Sequence, residues 1–227
     1  MAPLLVLCAL VLGTVLLPDG LPTAGFWWDF LIASGFCSLA IIAFLGWDSE
    51  TPASNPRLRL HRNLGILAST LLVVHSIGYL LIDSTVIEYL LPSAPGYMLA
   101  GLGALLSLLV VTISSFPGPR KKFYGHFARF RSWHRALFSI ILVGSLWHVA
   151  GTDFSLDSRW QLAVVGLLLA ALPGAAYLSR RAGRPLPLSQ PPATTLAADL
   201  STAIAGLLML VLSAGFAAVK VFACDPC

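Results

Sequence analysis

Charge is what this chain has least of. Asp, Glu, Lys and Arg make up 11% of its 227 residues, against about 25% in soluble domains. Polar stretches are short as well: no gap between apolar runs reaches twenty residues. A soluble domain is thereby excluded. With 57% hydrophobic residues, the sequence is that of a polytopic membrane protein. Strand-like alternation of polar and apolar residues is missing, so the spanning elements are helices. Acids are missing from the middle of every run: all ten lie in loops or near helix ends. That weighs against a transporter or channel, which commonly carries midplane carboxylates or broken helices. Four cysteines without a soluble scaffold do not make a disulfide framework.

What is present is a series of seven apolar runs, roughly 2–18, 25–46, 59–82, 96–115, 132–151, 160–179 and 197–222. The expected fold is all-α, a membrane helix bundle. The first run has no basic residue before its apolar core, which disfavours a signal peptide. Lys and Arg set the orientation. If every run crosses, twelve of the fourteen cations share one side: Arg57, Arg59, Arg62, Arg120, Lys121, Lys122, Arg129, Arg131, Arg135, Arg180, Arg181 and Arg184. Only Arg159 and Lys220 fall on the other side, together with Asp19, Asp29, Asp83, Glu88, Asp153, Asp157 and Asp225. The basic side is then cytoplasmic, with the N-terminus inside and the C-terminus outside. This distribution accounts for the net charge of +4 without nucleic acid.

The chain has five histidines, and four form two matched pairs. His61 and His75 lie in the third run, His134 and His148 in the fifth, each pair fourteen positions apart. Fourteen helical positions rise roughly 21 Å and return to within roughly 40° of the same face. Both runs travel from inside to outside, so His61 and His134 share one depth and His75 and His148 another. Two histidines on one helix are too far apart to share a metal, whereas each depth offers one facing pair. That is the requirement for two bis-histidine haems stacked across a bilayer. Gly65 and Gly144 fall on the ligand faces, where they leave room for a flat macrocycle or for close helix packing. Arg62, Arg131 and Arg135 sit at the inner end, where propionates would want cations; the positive-inside rule also explains them. His126 lies in the basic loop, off both patterns. Trp133 and Trp147 fit interfacial anchors.

With HRNLG-x9-H (His61 to His75) and WHR-x12-H (His134 to His148), the chain resembles the ferric reductase-like transmembrane domain superfamily. That superfamily includes ferric reductases, NADPH oxidases and the haem subunit of a periplasmic methionine sulfoxide reductase system. The resemblance covers runs two to six. It implies two b-type haems, with the four histidines as axial ligands, carrying electrons outward from a cytosolic donor. The expected architecture is a six-helix di-haem core (1–179), a cytosolic linker (180–196) and a seventh helix with an outer tail (197–227), in a bacterial inner membrane. Reductase and oxidase members carry a cytosolic flavin and nicotinamide domain after the sixth helix. Here the chain re-enters the membrane, with no G-x-G-x-x-G. A separate flavoprotein is the expected donor, and ferric iron or a periplasmic reductase partner the expected acceptor. Cys224 and Cys227 admit three readings: a structural disulfide, a redox dithiol, or a tail without a role. No His follows Cys227, as c-type haem attachment requires. Cys8 and Cys37 fit packing residues. Two other functions remain open: a quinol-linked di-haem cytochrome, and a haem-free transporter or structural subunit.

Overall fold

The computed structural model describes residues 2–16, 25–47, 55–152, 156, 158–181 and 194–223. Among them the secondary structure is helical, with no strand. In chain order the helices are α1 (Ala2–Leu16), α2 (Phe26–Trp47), α3 (Asn55–Ile82), α4 (Gly96–Ser114), α5 (Pro117–Tyr124), α6 (Phe127–Gly151), α7 (Arg159–Arg181) and α8 (Thr195–Ala223). A 3₁₀ helix, Ser84–Leu90, bridges α3 and α4.

Helix α2 is apolar on every side, and a helix without a polar face must be surrounded. It packs against α1, α3, α7 and α8. Of the 18 most apolar consecutive residues in its stretch Phe26–Gly46, 78% are buried, against 17% in the corresponding stretches of α3 and α4. The last two turn large side chains outward, among them Val74, Ile77 and Leu81 on α3 and Leu106, Val110 and Ile113 on α4. In water such a surface would aggregate; in a bilayer it is the solvated face. Among the described residues four helices are long and apolar enough to cross: Phe26–Gly46, Pro56–Ile82, Gly96–Ser114 and Thr195–Phe222. The chain is an integral membrane protein built of helices. Helix α6 is less apolar because His134, Arg135 and His148 occupy it. Helix α1 is shorter, 15 residues.

Helices outrun the apolar runs at their basic ends. The run expected from 59 starts helical at Asn55, and the run expected from 132 starts at Phe127. Polar residues such as Arg and Lys are good helix formers, so an apolar run marks membrane contact rather than helix length. The same reason explains α5, PGPRKKFY, which hydropathy alone makes a loop. Pro117 opens it at the first helical positions, where a missing N–H costs nothing. Gly125 closes it with φ +64, a conformation that glycine adopts without strain.

Helix α8 is tied to the α2–α3 hairpin at two levels. Asp199 accepts from Arg59 Nε at 2.7 Å, Arg59 Nη2 at 2.6 Å and Asn63 Nδ2 at 2.8 Å. At the other end Lys220 Nζ donates to Asp29 Oδ1 at 2.9 Å, with both side chains buried. The two ties are 21 positions apart on α8, a rise of about 31 Å, close to the thickness of a hydrocarbon core. Cys8 and Cys37 are buried and not disulfide-bonded. The linker segment 182–193, Asp153, Asp157, Cys224 and Cys227 lie outside the described residues.

Candidate functional site

Helices α3 and α6 scarcely touch, although both pack against α4. They face each other across two openings, one at each histidine level. The His61 and His134 ring centroids are 6.1 Å apart, and those of His75 and His148 are 6.5 Å apart. N-terminal histidine meets N-terminal histidine, so the two helices run parallel. A metal binds an imidazole nitrogen at about 2 Å and the ring centre lies about 1 Å behind it, so rings on opposite sides of one metal have centroids about 6 Å apart. Both separations match that value.

The opening at His75 and His148 is a cavity of about 480 Å³, within the range of small-molecule and cofactor sites. Its walls are mostly apolar, with Gly35, Tyr79, Tyr97, Gly101 and Ser145 among them, and the 3₁₀ helix forms its rim through Thr85, Val86, Tyr89 and Leu90. Asp83 caps that 3₁₀ helix, accepting from Thr85 N at 2.9 Å and Thr85 Oγ1 at 2.7 Å. Those bonds, the hydroxyl first, hold the Asp83 carboxyl below the usual carboxylate range.

Each ring of this pair is oriented by backbone. His75 Nδ1 is 2.8 Å from the Leu31 carbonyl oxygen on α2, and His148 Nδ1 is 3.3 Å from that of Tyr97 on α4. A carbonyl only accepts, so Nδ1–H donates and Nε2 keeps its lone pair. That is the tautomer in which metal-binding histidines are usually held.

The opening at His61 and His134 is smaller, about 100 Å³, and is lined by Arg62, Gly65, Arg135 and Phe138 among others. His134 Nδ1 and Arg62 Nε are buried there without a hydrogen bond. A buried donor left unpaired is costly, which marks a place where a partner belongs. Arg131 does not line this cavity. It sits one turn earlier, on an open recess with Phe127, Ala128, Ser132 and Arg135, its guanidinium 5.1 Å from the Phe127 ring. Gly144 lines neither cavity: a Cβ there would lie 2.9 Å from the Ala100 carbonyl oxygen, so of its two readings the structure supports the α4–α6 contact. His126 is exposed at the N-cap of α6.

Among the described residues no cluster of three or more His, Cys, Asp or Glu side chains is placed to hold a metal ion. Two imidazoles per level are too few for a bare ion, which takes four or more ligands. They suffice for a metal whose other ligands come from a macrocycle. The residues therefore fit haem at both levels; the space fits at the wider level and is narrower at the other.

The family model described as ferric reductase like transmembrane component matches residues 24–145. This chain belongs to the ferric reductase-like transmembrane family. The match spans more than half of the chain, from α2 into α6, and takes in His61, His75 and His134. It stops three residues before His148, which the fold brings opposite His75. No curated protein and no solved structure matches the chain. Membership assigns a function in general terms, electron transfer across a membrane.

The sequence pattern missed Leu31 and Tyr97, because they contribute backbone oxygen and any residue type has one. It also missed Lys220 as a partner of Asp29, 191 positions away.

Proposed function

We propose that this chain carries electrons across the membrane through two b-type haems, one held by His61 and His134 and one by His75 and His148. The observation that carries the reading is the equal spacing of the two facing imidazole pairs, 6.1 and 6.5 Å between ring centroids, on parallel helices that scarcely touch. Haem bound at these pairs supplies one-electron redox chemistry. The protein's part is to hold and insulate it. The facing imidazoles would hold such a haem from both sides, which would leave its metal closed to a substrate. Arg62 and Arg135 offer cations to propionate carboxylates at the narrower level; Arg131, on the neighbouring recess, lies nearer the surface. The apolar walls of the wider cavity and its 3₁₀ rim exclude water.

In this reading α1 to α4, α6 and α7 form a six-helix core and α8 is a seventh crossing. The basic ends of α3 and α6 face the cytoplasm, so the His61–His134 level is the inner one. The donor is a soluble flavoprotein on that side, attracted by Arg120, Lys121, Lys122 and Arg129. The acceptor is ferric iron or a reductase partner on the outer side of a bacterial inner membrane.

A reduced-minus-oxidised spectrum with haem quantitation on the purified chain tests the proposal. Two haems per chain are expected. The small inner cavity favours a second reading, one haem at the outer level only, and a ratio of one would select it. A colourless chain from haem-replete cells would exclude both.

A further inference from the structure

The two outer histidines are seated by the same device, built twice. On α2 and α3 its parts are Leu31, Gly35, His75 and Gly78; on α4 and α6 they are Tyr97, Gly101, His148 and Gly151. In each copy the imidazole bonds to a carbonyl four residues before a glycine. A Cβ on Gly35 would lie 2.8 Å from His75 Nδ1, and one on Gly101 would lie 2.8 Å from His148 Nδ1. The fit is reciprocal, because a Cβ on Gly78 would strike the Leu31 side chain and one on Gly151 the Tyr97 ring. Each histidine thus reads H-x-x-G, HSIG and HVAG, and its partner helix reads L-x-x-x-G or Y-x-x-x-G, LIASG and YMLAG.

The physical reason lies in helix geometry. A mid-helix carbonyl already accepts the N–H four residues on, and that residue's side chain would cover its second lone pair. Glycine leaves room for the imidazole to reach that oxygen, which at Leu31 also accepts from the Ser34 hydroxyl at 2.8 Å. We propose that Gly35 and Gly101 are positioning residues for the outer pair: each uncovers one carbonyl, so that the imidazole docks with Nδ1–H donated and Nε2 presented to the space between α3 and α6. The proposal rests on the reading of His75 and His148 as haem ligands. On the inner level His134 Nδ1 has no such acceptor. A hydrogen bond to the remote nitrogen raises ligand basicity, and removing one typically costs 10–100-fold in metal affinity. The outer site therefore depends on these glycines and the inner site does not.

The test compares Gly35→Ala and Gly101→Ala with Gly103→Ala, a glycine of α4 that faces open space. Two readouts are taken on the purified full chain: haem per chain across a wash series, and spectra of ¹⁵N-labelled histidine. In the native chain His75 and His148 should show Nδ1–H protons that exchange slowly. Gly35→Ala should abolish that signal for His75, and Gly101→Ala for His148. Each should lower outer haem affinity 10–100-fold, with the inner haem retained and Gly103→Ala unchanged. Unaltered histidine spectra and haem content in both variants would overturn the proposal. If a variant fails to fold, the native spectra decide: a His75 Nδ1–H that exchanges as freely as a solvated one also overturns it. A colourless native chain with both protected protons would sink the haem reading and the ligand role, and leave only the imidazole seat.

Discussion

Removing Lys220 should expose how much a buried charge pair holds this fold together. Its side chain is 7% exposed and that of Asp29 is fully buried, with 2.9 Å between Nζ and Oδ1. Taking away one member of such a pair leaves an uncompensated charge in a low-dielectric interior, at a cost of about 3–5 kcal/mol. Total stabilities run about 5–15 kcal/mol, so Lys220→Met should consume a large share. Asp29→Asn alone should be costly for the same reason. Replacing both partners of a buried pair is often close to neutral, so the double variant should be more stable than Lys220→Met. Unfolding by SDS titration in mixed micelles, run as a double-mutant cycle, measures the coupling directly. Single costs that simply add, within about 0.5 kcal/mol, would refute the reasoning. So would a Lys220→Met cost below about 1 kcal/mol, the range of surface ion pairs. The Arg59–Asp199 pair is an internal comparison: its side chains are 42% and 39% exposed, so Arg59→Gln should be far milder.

His75→Ala should remove one haem and spare most of the other, read from haem per chain; equal loss of both, in a variant that still elutes as a folded monodisperse species, would separate the pairing from the ligand assignment. Arg62→Gln should weaken retention of the inner haem more than Arg131→Gln, because only Arg62 lines the inner cavity; wash-out curves for the two variants check it. The depressed Asp83 carboxyl supports the 3₁₀ helix above its unfolded titration range and loses that role as pH falls through its folded one. Hydrogen exchange at Thr85, corrected for intrinsic rates, should therefore accelerate at acid pH, and Asp83→Asn should flatten that dependence.

Much of the histidine geometry was legible because helical periodicity fixes which residues share a face. The fourteen-residue spacing put His61 with His75 and His134 with His148 on single faces, and the single crossing between the third and fifth runs made the helices parallel. Arg62 and Arg135 flank the inner pair as neighbours in sequence. Arg131 was harder to place, since one helical turn separates lining a cavity from lying at its margin. Gly144 admitted two readings because glycine suits both a flat ligand and a close helix contact, and the neighbouring Ala100 carbonyl decides for the contact. Helix α5 was invisible to hydropathy, which reports the solvent a helix prefers rather than its existence. The Asp29–Lys220 pair was invisible because no local pattern links residues at opposite ends of the chain. Leu31 and Tyr97 left a trace only through Gly35 and Gly101, whose meaning needs the partner helix.

The charges of α8 run backwards. In the proposed topology its acid, Asp199, lies at the cytoplasmic end and its cation, Lys220, at the outer end, opposite to the bias by which flanking charges orient a nascent helix. The bias itself comes from Arg180, Arg181 and Arg184, which precede the helix on the cytoplasmic side. Its depth is fixed by chain already made: Arg59 and Asn63 on one shore, Asp29 on the other. Biogenesis should then be sequential, with the α2–α3 hairpin acting as a template that receives the late-arriving segment and sets its register.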